Sequence, residues 1–476
     1  MSASVSPAAA IDPAVLKVAR SELVTVLREL IRVPSVNPPD PSTPDAELRA
    51  ARHIAAILAD AGVPAEIHEP YPGRGSVTAR LRGDGTGGDP LLLLSHLDVV
   101  PAPPEDWTHD PFAGNLSEGC VWGRGAVDMK QMIALELGVV RLLAAEARTA
   151  GRDPANDPIP GLTRDVLFAS TADEEAGGHE GIGWLVDHRP ETLAAAGCLN
   201  ECGGMTTTVG DVRLYPIGVA EKGFCVYRIV VRGTWGHGSV PRADNAAVRA
   251  AEIVRRLAVA GPIRLTGPMV RLFEALEASL PDDLARACRA MLGDDPRAAE
   301  MVLDRLCDPM YARVARALVR DTLSPNVISA GVKYNVIPGA AEVVVDCRVL
   351  PGTTEAAMRA EVERRIGDLL ADASVELVIA AVPVETPVDT DLYRIMDGTL
   401  REHDPTGVPV PVMLAFATDA KHTARLGIPT YGFSPLLLDP EERFLERFHG
   451  VDERVSVAAL EWGLPVLYDV VRRFCG

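Results

Sequence analysis

Four consecutive leucines at 91–94 run directly into Ser95, His96, Leu97 and Asp98. So short an unbroken apolar run suits a strand buried on both faces, which requires a largely parallel sheet covered by helices. Comparable β-rich runs follow as SVTARLRG at 76–83, DVLFASTA at 165–172 and GCLNEC at 197–202. Helical periodicity marks 14–33, 44–62, 129–147 and 181–188. The Pro-rich breaker SVNPPDPSTPD parts the first two helices, and its Thr43 and Asp45 suit the start of the second. Alternation of buried strands and helices predicts an α/β fold. In such sheets chemistry gathers where strands end. His96 with Asp98, Glu174 with Glu175, and Glu201 each fall at the C-terminal end of a predicted strand.

From about Gly223 the pattern changes. FCVYRIVVRG reads as an alternating strand, NAAVRAAEIVRRLAVA as a helix, and ISAGVKY and AEVVVDCRVL as two strands. A helix in TTEAAMRAEVERRIGDLL and a strand in VELVIAAVP complete a β-α-β-β-α-β order, the ferredoxin-like sandwich. A mostly helical insert at about 261–322 interrupts it, with no role legible in its residues. After about Val384 the chain returns to α/β character and ends in a helix, 455–474. The domain expectation is therefore a catalytic domain in two parts, 1–220 and 385–476, with an inserted α+β lid or dimerisation domain at 221–384.

Bulk properties exclude several partners. A net charge of −19 repels phosphate backbones and anionic bilayers, so neither nucleic acid nor a membrane surface is expected. No stretch approaches the length of a membrane span. The first residues lack a basic segment followed by an apolar one, so no secretory signal is read there. The eight cysteines are scattered without CxxC spacing, which fits free thiols in a reducing cytoplasm.

Taken singly, the candidate site residues all have bland readings. His96 could be a strand-end histidine, although Asp98 lies on the same strand face and could hold the second ring nitrogen of a metal ligand. Asp128 could cap the helix at 129–147. Gly123 and Gly125 ahead of it would let its carboxylate approach a metal pair. Asp173, Glu174 and Glu175 could be a solvated acidic turn. Glu201 follows a buried apolar strand, where an unpaired carboxylate is costly. His449 could be a loop histidine, with His422 a rival ligand in the same segment. Together, the two imidazoles and several carboxylates match what a hydrolase with two divalent metals needs.

The ordered motifs SHLDVVP, WGRGAVDMK, DEE, NECGG, GHGSVP, NVIPG with VDCR, GIPTYGF and the late histidine resemble the M20 metallopeptidases. That group includes aminoacylases, dinuclear-zinc carboxypeptidases, acetylornithine deacetylase and succinyl-diaminopimelate desuccinylase. The resemblance implies one metal held by His96, Asp128 and Glu201 and a second by Asp128, Glu175 and His449. Asp128 then bridges, Asp98 orients His96, and Glu174 is the general base. It implies a cis peptide after Asp128. It also implies two Zn ions, a donor set that admits Co or Mn as well. His237 would supply a donor to the oxyanion, commonly from the partner in a homodimer formed through the lid. Arg348 and Asn335, read on adjacent strands, would bind substrate, with Arg348 gripping a carboxylate bidentately. The bland alternative for Arg348 is pairing with Asp346. The implied activity is hydrolysis of an amide bond in small peptides or N-acyl amino acids bearing a free carboxylate. Dipeptidase or carboxypeptidase action and N-acyl amino acid deacylation both fit, and a silent binding relative is disfavoured by the complete ligand set. Cys202 departs from the small residue, often glycine, that is common after the ligand glutamate.

Overall fold

The chain's architecture was read from a computed structural model that describes residues 11, 13–38, 44–293, 301 and 309–476. It divides into two units: Met1–Val219 with Thr386–Pro411 and Thr418–Gly476, and Ala220–Glu385 with Val412–Ala417.

In the first unit the leucine run forms the strand Leu91–His96, buried along its whole length. It pairs in parallel with Val166–Thr171, in a register that sets Leu91 opposite Val166 and His96 opposite Thr171. On its other side it pairs in parallel with Gly197–Asn200, which in turn runs parallel to Thr430–Gly432. Side chains alternate between the two faces. Leu91 and Leu93 therefore enter one core with Ile133, Leu137 and Val140 of the helix Lys130–Thr149, while Leu92 and Leu94 pack with Ile182 and Leu185. Each fully buried leucine is worth roughly 1.5–3 kcal/mol of transfer free energy, and double-sided burial is what holds this strand central.

Toward its first edge the sheet turns antiparallel. Arg74–Leu81, which covers most of the predicted strand at 76–83, runs antiparallel to Val166–Thr171 and forms a hairpin with Ala65–Tyr71. Gly73 makes the hairpin's tight turn at φ 81°, where an added Cβ would lie 2.2 Å from the Pro44 carbonyl oxygen. The second helix, Ala46–Asp60, starts after Asp45, whose side chain makes no capping bond; Thr43 lies outside the described residues.

The second unit carries a four-stranded antiparallel sheet in the order Thr322–Ala330, Ala340–Val349, Gly223–Arg232, Ala373–Ala381. Alternate residues such as Tyr227, Ile229, Val343 and Val345 bury against Ile253 and Val362 of the helices Ala246–Leu257 and Glu355–Ile366. Asn245 and Thr354 cap these helices through their side chains. The strand expected at 328–334 is placed earlier, because Gly331 at φ 77° ends it and Pro325 is tolerated at a bulge on the sheet edge. The insert contributes the helices Gly267–Ser279, Asp282–Met291 and Pro309–Leu318. Buried Lys222 fastens its end by donating to the carbonyls of Ala317 and Arg320 at 2.9 Å each.

Candidate active site

The parallel register delivers three strand ends to one edge. His96 closes the central strand, Glu174 and Glu175 follow Val166–Thr171, and Glu201 follows Gly197–Asn200. The His96 Nε2 lies 3.1 Å from Asp128 Oδ1 and 3.7 Å from Glu201 Oε2. The other oxygen of Asp128, Oδ2, lies 3.2 Å from His449 Nε2, which is 3.1 Å from Glu175 Oε2. His96, Asp128 and Glu201 thus form one group, and Asp128, Glu175 and His449 a second, with ligand atoms inside each group within 4.8 Å of one another. One carboxylate turns an oxygen to each group.

Electrostatics make this crowding costly without a cation. Burial pushes Glu201 up to about 8 and Glu175 up to about 7. Against the upward push of its own burial, hydrogen bonds from the His449 and His96 rings hold Asp128 below the usual carboxylate range. Hydrogen bonds to Asp128 and Glu175 raise His449 to about 10. The residues fit a pair of divalent ions: the donors are imidazole nitrogens and carboxylate oxygens, and buried Glu175 Oε1 has no hydrogen-bond partner among the described residues.

Asp98 does more than steady His96. The ring Nδ1 meets the Asp98 backbone carbonyl at 3.0 Å and its carboxylate only at 3.6 Å. The carboxylate instead accepts the backbone N–H of Glu174 at 3.1 Å, that of Glu175 at 3.0 Å, and Asn37 Nδ2 at 2.8 Å. It therefore holds the turn that carries the acidic pair, which Asp173 enters in the left-handed region at φ 73°. Glu174 is largely enclosed, and its Oε1 lies 3.5 Å from Lys421 Nζ. Neither Lys421 nor Asn37 carries a spacing signal in the sequence; tertiary contact alone reveals them.

Several expectations need correction. Asp128 does not cap the following helix, which begins at Lys130 with Met129 at the N-cap position. Its carboxylate faces the two histidines, and the Asp128–Met129 peptide is cis, as the resemblance implies. His422 is spent elsewhere: Nε2 donates to the Gly177 carbonyl at 2.8 Å, and burial lowers its pKa to about 4. Asn335 is not on a strand beside Arg348. It precedes the short strand Val336–Ile337, which pairs with Gly236–His237, and its carbonyl accepts the Gly238 N–H at 2.8 Å. Arg348 forks onto Asp346 at 2.9–3.2 Å and stacks on Phe224, as in the bland reading. Exposed His237 bonds through Nδ1 to Ser239 Oγ at 2.7 Å. Cys202 stands at φ 64°, which accounts for a glycine preference there, and its thiol donates to Glu201 Oε2 at 3.4 Å.

Comparison with known proteins agrees with this geometry. The model of peptidase family M20/M25/M40 matches residues 92–473. An N-fatty-acyl-amino acid synthase/hydrolase, PM20D1, of Xenopus tropicalis is 29% identical over 460 residues, covering 93% of this chain and 84% of that protein. A probable carboxypeptidase S-like 2 of Dictyostelium discoideum is 27% identical over 407 residues, covering 80% of this chain and 71% of that protein. Human carnosine dipeptidase 1 shares the fold with a TM-score of 0.70 at 17% identity, over 98% of this chain and 100% of that one. An M20 metallo-carboxypeptidase of Sulfolobus solfataricus does so with a TM-score of 0.67 at 16% identity, over 95% and 99%. The chain belongs to peptidase family M20/M25/M40, and with it to the dinuclear metal-dependent amide hydrolases.

Proposed function

We propose that this protein cleaves the amide bond of small peptides or N-acyl amino acids that carry a free carboxylate, in the manner of a dipeptidase or carboxypeptidase. The observation that carries the reading is the pair of ligand groups sharing Asp128, with largely enclosed Glu174 next to the ligand Glu175. His96, Asp128 and Glu201 would hold one Zn ion, and Asp128, Glu175 and His449 the other; Co or Mn would also suit these donors. Two divalent cations bound there supply Lewis acidity toward water and the scissile carbonyl. Glu174 takes the proton from the attacking water and returns it to the departing amine nitrogen. Asp98 keeps Glu174 and Glu175 in register. His237 donates to the oxyanion, and Arg348 leaves Asp346 to take the substrate carboxylate, aided by Asn335. The unit 221–384 acts as lid and as the seat of a homodimer, which would bring His237 from the partner. Support for a dimer surface comes from the edge strand Thr322–Ala330, where Val327 and Ile328 are exposed.

A second reading, deacylation of N-acyl amino acids, is favoured by the frog relative, whose match covers 93% of this chain and whose name is that of an N-fatty-acyl-amino acid synthase/hydrolase. A reducing cytoplasm as the compartment is supported by the described cysteines, all of which are free. The test is turnover of dipeptides against N-acyl amino acids of graded acyl length, using metal-reconstituted protein beside a chelated control. Equal inactivity toward both classes would sink the proposal. A preference rising with acyl length would move it to the second reading.

A further inference from the structure

Glu453 follows His449 by four residues and is completely buried. Its Oε1 accepts three backbone N–H groups, from Gly125 at 3.0 Å, Val127 at 2.6 Å and Asp128 at 3.0 Å. Its Oε2 accepts Arg124 Nη1 at 2.7 Å, and its backbone carbonyl accepts the Gly123 N–H at 2.9 Å. Arg124, 3% exposed, reaches with Nη2 toward the carbonyls of Pro101 and His449 at 3.4 Å each and stacks on Trp107. One carboxylate therefore gathers the loop 123–128, and the arginine it pairs with touches the residue that supplies the second imidazole.

The loop needs such a fastener. Gly123 and Gly125 stand at φ 148° and 92°, so no regular element fixes its path, and Asp128 must present one oxygen to each ligand group. A shift of a few tenths of an ångström in the Asp128 backbone would favour one group at the expense of the other. Groups that hold metal ligands in place in this way commonly set metal affinity without touching the ion. We infer that Glu453, through Arg124, is a positioning residue that fixes the Asp128 loop and couples it to His449, so that the two cation sites are held at the spacing one carboxylate can bridge. The inference rests on the two-cation reading and assigns a residue that neither metal nor substrate contacts.

The test is titration of metal-stripped full-length protein with Co2+, followed by visible absorption and by competition with a chelator. It is run below the melting transition of each variant. Glu453→Gln keeps the side chain's shape but loses the charge opposite Arg124. It should weaken the binding of at least one Co2+ roughly 10- to 100-fold and change its absorption bands. Arg124→Lys keeps the charge but loses the fork, and should weaken binding by a smaller factor; it serves if Glu453→Gln does not fold. A residue supporting the fold alone would lower the melting temperature of the metal-free chain and leave Co2+ affinity and spectrum as in wild type, and that result in a folded variant overturns the inference. Wild-type protein taking up fewer than two Co2+ would instead overturn the two-cation reading, and this inference with it.

Discussion

In the first unit, His96, Asp98 and Glu201 at strand ends and Asp128 in the loop 123–128 are buried, and each is held by a named neighbour. On the second unit, His237 is exposed, and Arg348 is partly exposed with its fork on Asp346. The first region packs imidazoles, carboxylates and backbone donors together out of water, an arrangement whose remaining cost divalent cations would offset. The second keeps its polar groups at the surface, His237 bonded to Ser239 and Arg348 forked onto Asp346. Preorganised charge is where transition states gain most. Exchangeable surface charge suits selection of a substrate by a group remote from the reacting bond. Within one chain, the groups proposed for the reaction and those proposed for recognition thus differ in solvation.

The sharpest way to break this contrast is Glu174→Gln. It should lower kcat by about 10²–10⁴-fold, the range for removing a general base, while elemental analysis still finds two metals. Near-wild-type turnover would remove Glu174 from that role. Next in effect is His449→Ala, for which metal content should drop from two ions to one. Retention of both would show that the half-exposed imidazole is dispensable. Arg348→Ala addresses the other side of the contrast. It should raise KM roughly 10- to 100-fold for substrates with a free carboxylate, the range expected for a charge-assisted contact, and spare amidated analogues. An equal rise on both would make Arg348 a partner of Asp346 only. The smallest effect is expected of Cys202→Ser, which keeps a donor toward Glu201 and should leave kcat/KM within about threefold. A large loss would give the thiol a part in the metal site.

Much was legible in the sequence because the constraints are local. Four leucines in so short a run suit a strand covered on both faces, so 91–96 and two further strands, 165–172 and 197–202, could be read from composition and length. The site residues could be listed because each sits in a short motif that resembles the M20 family, His96, Asp98, Glu174, Glu175 and Glu201 at strand ends and Asp128 and His449 in loops. The hairpin at 65–81 and the end of Thr322–Ala330 escaped for a different reason: turn chemistry at Gly73 and Gly331 overrode the reach of apolar patterning. Asn335 was misplaced because a two-residue strand is too brief to have a period.

What the amino-acid order determined by itself was an inventory: buried strands, acids and histidines at their ends, and glycines before Asp128. The resemblance already favoured His449 over His422; only the tertiary structure showed His449 beside Asp128 and Glu175, and His422 bonded to the Gly177 carbonyl. It alone turned the two oxygens of Asp128 toward different imidazoles, spent the Asp98 carboxylate on the backbone of the Glu174–Glu175 turn, and closed Glu453 onto the loop 123–128. The physical reason is that a hydrogen bond or a shared ligand depends on distances of about 3 Å. In this chain those distances join residues more than 300 positions apart, and the parallel register of the central strands sets the edge at which they meet.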